Sequence, residues 1–199
     1  MKKQILLPIL TILLCVVVLL GLSFGLRGIG AENARSAHLE LMQTLLPGSE
    51  AFLLEPYDGD DANIRSVHKA ENGFVIETVT YGYVDEITMF IGVNNEGKVT
   101  GLVVYEAHET PGLGNEALTD HVFLSQFLNQ SGSFEVDTSG ADAFSGATAQ
   151  AGTTEGESTP VDAISGATVT SKAVVRCVNS AVAYVTGADA VSAATTWGG

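Results

Sequence analysis

Two threonines in this chain close nearly the same phrase. Asp162-Ala163-Ile164-Ser165-Gly166-Ala167-Thr168 ends on Thr168, and Asp142-Ala143-Phe144-Ser145-Gly146-Ala147-Thr148 ends on Thr148. A threonine hydroxyl is a poor nucleophile without an activating partner, but once esterified it is a durable attachment point. Gly166 and Ala167 carry almost no side chain, so another group can approach that backbone closely. Thr170 and Ser171 follow, residues of the kind that cap helices. A phosphate joined to Thr168 would therefore meet unpaired N–H groups and the positive end of a helix dipole. The residues alone define an anion-friendly hydroxyl; a plain helix cap in a loop would use the same ones.

Other chemistries find little support. His38, His68, His108 and His121 have no metal-ligand spacing, so no metal site is expected. Asp58-Gly59-Asp60-Asp61 lacks the ligand spacing and terminal Glu of a calcium loop and reads as a solvated acidic loop. The Gly-x-Ser-x-Gly pattern occurs only at Gly21-Leu22-Ser23-Phe24-Gly25, inside the apolar N-terminal run and not in a strand-to-helix elbow, and no catalytic residue is expected. Cys15 and Cys177 lie in segments that cannot meet as a structural disulfide, and two cysteines cannot hold an iron–sulfur cluster. The run Gly112 to Ala117, Gly-Leu-Gly-Asn-Glu-Ala, approaches a dinucleotide fingerprint. However, His108 to Pro111 separates it from the preceding strand, and no βαβ unit follows. It reads instead as a glycine-bent loop, in which Pro111, Gly112, Leu113 and Gly114 form a shelf for a flat ligand.

The elements that must position these residues follow from periodicity. Leu39, Met42, Leu45 and Leu46 recur at helical spacing within Glu32–Leu46, and Pro47-Gly48 ends that helix. Asn72-Gly73 marks a tight turn between strands Ile64–Ala70 and Phe74–Tyr81. Asn94 to Gly97 marks another, between Ile87–Val93 and Lys98–Ala107. Asn115–Leu128 reads as a helix with Leu118, Val122 and Phe123 inward. Residues 129–160 are rich in Gly, Ser, Thr and Ala and read as a flexible low-complexity loop that contains the Thr148 copy. Ser171–Val185 carries one apolar stripe: Val174, Cys177, Val178, Ala181, Val182 and Val185. The expected class is α+β, an antiparallel curved sheet packed by helices.

No residue from Gln4 to Leu26 is charged, and Lys2 and Lys3 precede the run. That length suits one N-terminal transmembrane helix with a cytoplasmic N-terminus. Residues 1–27 are thus expected to be an anchor in the cell (inner) membrane, residues 28–186 an extracytoplasmic domain, and 187–199 a disordered tail. The chain's net charge of −14 excludes nucleic acid as a partner.

Across nearly its whole length the sequence resembles the FMN-binding domain family, in particular the G subunit of Rnf electron-transport complexes. It is also similar to the C subunit of sodium-pumping NADH:quinone reductases. The residues that carry the resemblance are His108-Glu109-Thr110-Pro111-Gly112-Leu113-Gly114 and Asp162–Ser171, behind the anchor and the strand meander. The resemblance implies that an FAD:protein FMN transferase attaches FMN to Thr168 as a phosphoester, with Asp162, Ser165, Gly166 and Ala167 as its recognition sequence. It implies that Glu109, Thr110, Gly112, Leu113 and Gly114 line the isoalloxazine side of the pocket. It further implies an electron carrier among the other subunits of a membrane electron-transport complex. Two alternatives stand beside it: a solitary extracytoplasmic FMN carrier or sensor, and a cofactor-free binding module.

Thr148 is the departure from the family pattern. Six identities over seven positions argue against chance, which leaves a second attachment site or a remnant. Ala149-Gln150-Ala151-Gly152 follows it, with neither a Thr-Ser pair nor an apolar stripe. FMN on Thr148 would have no helix end to hold its phosphate, which favours a silent or only partly modified copy.

Overall fold

A computed structural model describes the backbone of residues 2–137 and 158–187; the side chains of residues 2–11, 22–31, 33 and 34 are outside that description. The Thr148 copy and residues 188–199, the expected tail, lie outside the described residues. The chain divides into two compact units, residues 1–41 and residues 42–199.

Helix α1 runs unbroken from Lys2 to Leu45. The sequence suggests an anchor and a separate helix, but Gly28 and Gly30 cost an interior helix only about 1 kcal/mol each and do not interrupt it. Ile12 to Leu20 carry exposed apolar side chains. Among the described residues no helix is long and apolar enough to cross a membrane.

In the second unit five strands form an antiparallel meander in chain order: β1 Leu53–Glu55, β2 Ile64–Ala70, β3 Gly73–Tyr81, β4 Glu86–Asn94 and β5 Val99–Ala107. Register shifts occur between Ile64 and Ser66 and at two places opposite β5, Thr88/Met89 and Gly92/Val93. Such irregularities bend a sheet. The β4 strand is covered on both sides. Ile87, Met89, Ile91 and Val93 join one core with Val174, Cys177, Val178 and Ala181 of helix α4, Thr168–Thr186. On the other face the Leu45 carbonyl accepts a hydrogen bond from Thr100 Oγ1 at 2.6 Å and lies against Gly92. Each fully buried Val or Ile contributes roughly 1.5–3 kcal/mol, which makes the sheet–α4 contact the main source of stability.

Three segments depart from the sequence reading. The expected helix Asn115–Leu128 is broken into α2, Gly114–Thr119, and α3, His121–Ser125. Asp120 breaks it: its carboxylate accepts from the Val122 and Phe123 N–H groups at 2.7 and 2.9 Å, an N-cap that restarts the helix. Leu118 and Phe123 are consequently buried, whereas Val122, expected inward, is 77% exposed. Next, the two ends of the stretch read as a loop, residues 129–160, contribute strands. β6, Phe134–Asp137, pairs in parallel with β7, Thr159–Asp162. Buried Phe134 and Val161 anchor them to the core, a signal diluted by the surrounding Gly and Ser. Finally, α4 begins at Thr168 and not at Ser171. Thr170 and Ser171, expected as caps, are fully buried in its first turn because both hydroxyls are engaged elsewhere.

Candidate functional site

β7 ends at Asp162, so the strand delivers the chain directly into Ser165-Gly166-Ala167-Thr168. Gln126 grips the end of that strand, its Oε1 accepting from the Asp162 N–H at 2.9 Å and its Nε2 donating to the Asp162 carbonyl at 3.4 Å. A turn follows, closed by the Ala167 N–H on the Ile164 carbonyl at 2.9 Å. Gly166 sits at φ +79°, a conformation costly for any residue with a Cβ. Ser171 Oγ reaches back to accept from the Ile164 N–H at 3.3 Å, fixing the turn onto the helix.

Thr168 is thereby the first residue of α4. No side chain caps this helix. The N–H of Ser171 bonds to the Ala167 carbonyl at 2.8 Å, so the preceding N–H groups of the first turn have no acceptor within the helix. They form the positive end of a 19-residue helix.

Beside this end lies a cleft of about 290 Å³, lined by Tyr83, Leu113, Gly114 and residues 166–170. That volume is at the small end for small-molecule sites, so a ligand larger than the cleft would remain partly at the surface. Its walls come from three segments: the β3–β4 turn with Tyr83, the start of α2, and the start of α4.

Glu109 joins these three segments. Its Oε1 accepts from the Tyr83 and Val84 N–H groups at 2.8 and 3.1 Å, and its Oε2 accepts from Thr170 Oγ1 at 3.3 Å. A Cβ at Gly114 would strike both Glu109 Oε2 and Thr170 Oγ1. Gly114 is thus required by close approach, and Glu109 lies behind the cleft wall.

The structure brings together Gly166, Ala167, Thr168, Leu113 and Gly114 around one cleft. It sets others apart from the lining. Ser165 and the Asp162 side chain are exposed. Glu109 supports the wall. Gly112 sits at φ +78° with nothing within 4 Å of the place a Cβ would take. Thr110 closes a turn by accepting from the Leu113 and Asn115 N–H groups. The sequence reading omitted Tyr83, whose signal as one more aromatic near a turn is faint. Arg176 was also missed: it donates to the Tyr81 carbonyl at 3.0 Å from within α4. Among the described residues no group of His, Cys, Asp and Glu could hold a metal ion.

Residues 82–183 match the FMN-binding domain family. The G subunit of the ion-translocating oxidoreductase complex of Haemophilus influenzae (strain PittEE) is 28% identical over 158 residues, covering 68% of this chain and 76% of its own. The G subunit of the Na(+)-translocating ferredoxin:NAD(+) oxidoreductase complex of Acetobacterium woodii is 34% identical over 65 residues, 32% of this chain and 30% of its own. Among solved structures, NqrC of Shewanella oneidensis aligns over 77% of this chain and 73% of its own, with 23% identity and a TM-score of 0.42.

Proposed function

This chain belongs to the FMN-binding domain family, and from that premise we propose that it is the flavoprotein subunit of an Rnf-type ion-translocating electron-transport complex, carrying FMN covalently on Thr168. The observation that carries the proposal is the place of Thr168: it opens an uncapped helix beside a cleft walled by Leu113, Gly114 and Tyr83. A phosphoester there meets helix N–H groups that lack an acceptor within the helix, the arrangement a phosphate requires. Apolar Leu113 and the Tyr83 ring suit a flat aromatic group, so the residues present fit FMN. When bound, the flavin would supply reversible redox chemistry, tuned by its pocket. The chain's own part is to hold the phosphate at α4, support the ring and limit its contact with water.

The charge-free run Gln4–Leu26 behind Lys2-Lys3 supports a single membrane anchor, residues 1–27, with the domain 28–186 on the extracytoplasmic side. The relatives named as complex subunits make other membrane subunits the expected partners. An FAD:protein FMN transferase is the expected maturation enzyme, reading the exposed Asp162 and Ser165.

The test is the intact and peptide mass of the chain coexpressed with such a transferase, beside Thr168→Ala. One FMN-sized phosphoester addition, absent from the variant, is expected. An unmodified wild-type chain would refute the proposal.

A further inference from the structure

Tyr83 is the one aromatic residue among those lining the cleft, and it is 66% exposed. It takes no part in the aromatic pairs found among the described residues, which engage Phe123, Phe127, Phe134, Tyr57, Phe74, Tyr184, Phe90 and Tyr105. The ring is carried by the turn between β3 and β4. This turn is fastened from both sides. Arg176 Nη2 donates to the Tyr81 carbonyl at 3.0 Å and Nε to Thr80 Oγ1 at 3.4 Å. Glu109 accepts from the N–H of Tyr83 itself and from that of Val84. The Gly82 N–H closes the turn on the Asp85 carbonyl at 2.9 Å. Two charged side chains from β5's exit and from α4 thus hold in place an aromatic ring that the core does not use.

We propose that Tyr83 is the aromatic wall of the flavin site, in ring contact with the isoalloxazine, and that Glu109 and Arg176 are positioning residues that hold it there. The proposal rests on FMN being attached at Thr168. Aromatic rings in offset or edge contact attract one another beyond simple area burial, and Leu113, which also lines the cleft, adds apolar surface. Glu109 bonds to Thr170 as well as to the Tyr83 turn, so one carboxylate fixes the spacing between attachment residue and ring.

A phenol in contact with a flavin quenches its emission: the excited flavin takes one electron from the phenol and returns it, leaving both unchanged. The experiment uses the full chain, coexpressed with the transferase, as wild type, Tyr83→Phe, Tyr83→Ala, Glu109→Ala and Glu109→Gln. FMN content is read by mass and emission is expressed per bound flavin. The wild type should be dim, and both Tyr83 variants severalfold brighter at full FMN content. Glu109→Ala should brighten as the turn loosens. Glu109→Gln, whose amide oxygen can still accept from the two turn N–H groups, should return most of the quenching. Equal emission from wild type and Tyr83→Phe at full FMN content would overturn the role of Tyr83. Unchanged emission in Glu109→Ala would overturn that of Glu109. Failure of the Thr168 reading is seen separately, as absence of FMN mass from every chain, and would remove this proposal with it.

Discussion

Thr170 Oγ1 donates a hydrogen bond to Glu109 Oε2 at 3.3 Å, across 61 residues of sequence. This bond ties the exit of β5 to the first turn of α4. Because the other oxygen of Glu109 holds the Tyr83 turn, the carboxylate bonds to two of the three cleft walls and lies close against Gly114 of the third. A carboxylate accepting several charge-assisted bonds is a stronger brace than a neutral side chain would be.

Gly114→Ala should disturb this brace directly, because the added methyl group would meet Glu109 Oε2 and Thr170 Oγ1. Overpacking of this kind costs about 1–3 kcal/mol. Gly112→Ala is the comparison: it has room for the methyl and incurs only the cost of a positive φ, roughly 1–2 kcal/mol. Urea unfolding gives the stability of each, and mass spectrometry their FMN content. Gly114→Ala should lose FMN loading while Gly112→Ala keeps it. Full loading of Gly114→Ala would show that the brace does not shape the attachment site.

Asn179 should prove a stability residue far out of proportion to its size. From within α4 it accepts from the Phe134 N–H at 2.8 Å and donates to the Phe134 carbonyl at 2.9 Å, mimicking a strand partner. Its replacement by Ala leaves two buried backbone groups unpaired, at about 1–3 kcal/mol each. Chemical denaturation of Asn179→Ala should show a loss of about 2–6 kcal/mol. A loss near zero would mean that water replaces the side chain in full.

The parts of this molecule that the sequence made legible are those with local causes. Asn72-Gly73 and Asn94–Gly97 announce hairpins because few residues tolerate such turns. The α4 stripe is plain because Val174, Cys177, Val178, Ala181 and Val182, all buried, recur at helical spacing. Thr168 could be singled out from its own phrase. What stayed hidden depends on distant partners. Nothing local in Glu109 says that its carboxylate turns toward Tyr83, Val84 and Thr170. Nothing in Phe134 or Val161 reveals a parallel pair, since neither strand is long enough to show alternation. Asp120 was readable as a cap, but the apolar spacing of Leu118 and Val122 pointed to a longer helix, and the cap won.

Cys177 should make the fold sensitive to alkali. Burial pushes its thiol from an ordinary value of 9.0 up to about 11. Between those values the unfolded chain loses a proton that the folded chain keeps, so stability falls as pH rises from about 9 and levels off above about 11. The full effect is about 2–3 kcal/mol. Cys177→Ala, itself less stable for its lost packing, should show a shallower decline between pH 8 and 11 in thermal or denaturant unfolding. Parallel pH profiles for the two proteins would exclude the thiol as the source. In the native wild type at neutral pH, the same burial should leave Cys177 unreactive toward thiol reagents.

Thr148→Ala should leave the FMN content of the chain unchanged or nearly so. The phrase that ends at Thr148 matches the one that ends at Thr168, and a transferase reading only that peptide would modify both. What distinguishes them is the sequence that follows. Thr168 leads into Val169-Thr170-Ser171 and the apolar stripe of α4, with a helix end to receive a phosphate and Glu109 to lock the first turn. Thr148 leads into Ala149-Gln150-Ala151-Gly152, a sequence with neither a Thr-Ser pair nor an apolar stripe. Peptide masses from the wild type and from both threonine variants decide the matter. One addition, lost only with Thr168→Ala, means that attachment needs the folded context as well as the phrase. Two additions, each lost with its own threonine, would mean that the phrase is sufficient and that this chain carries two flavins.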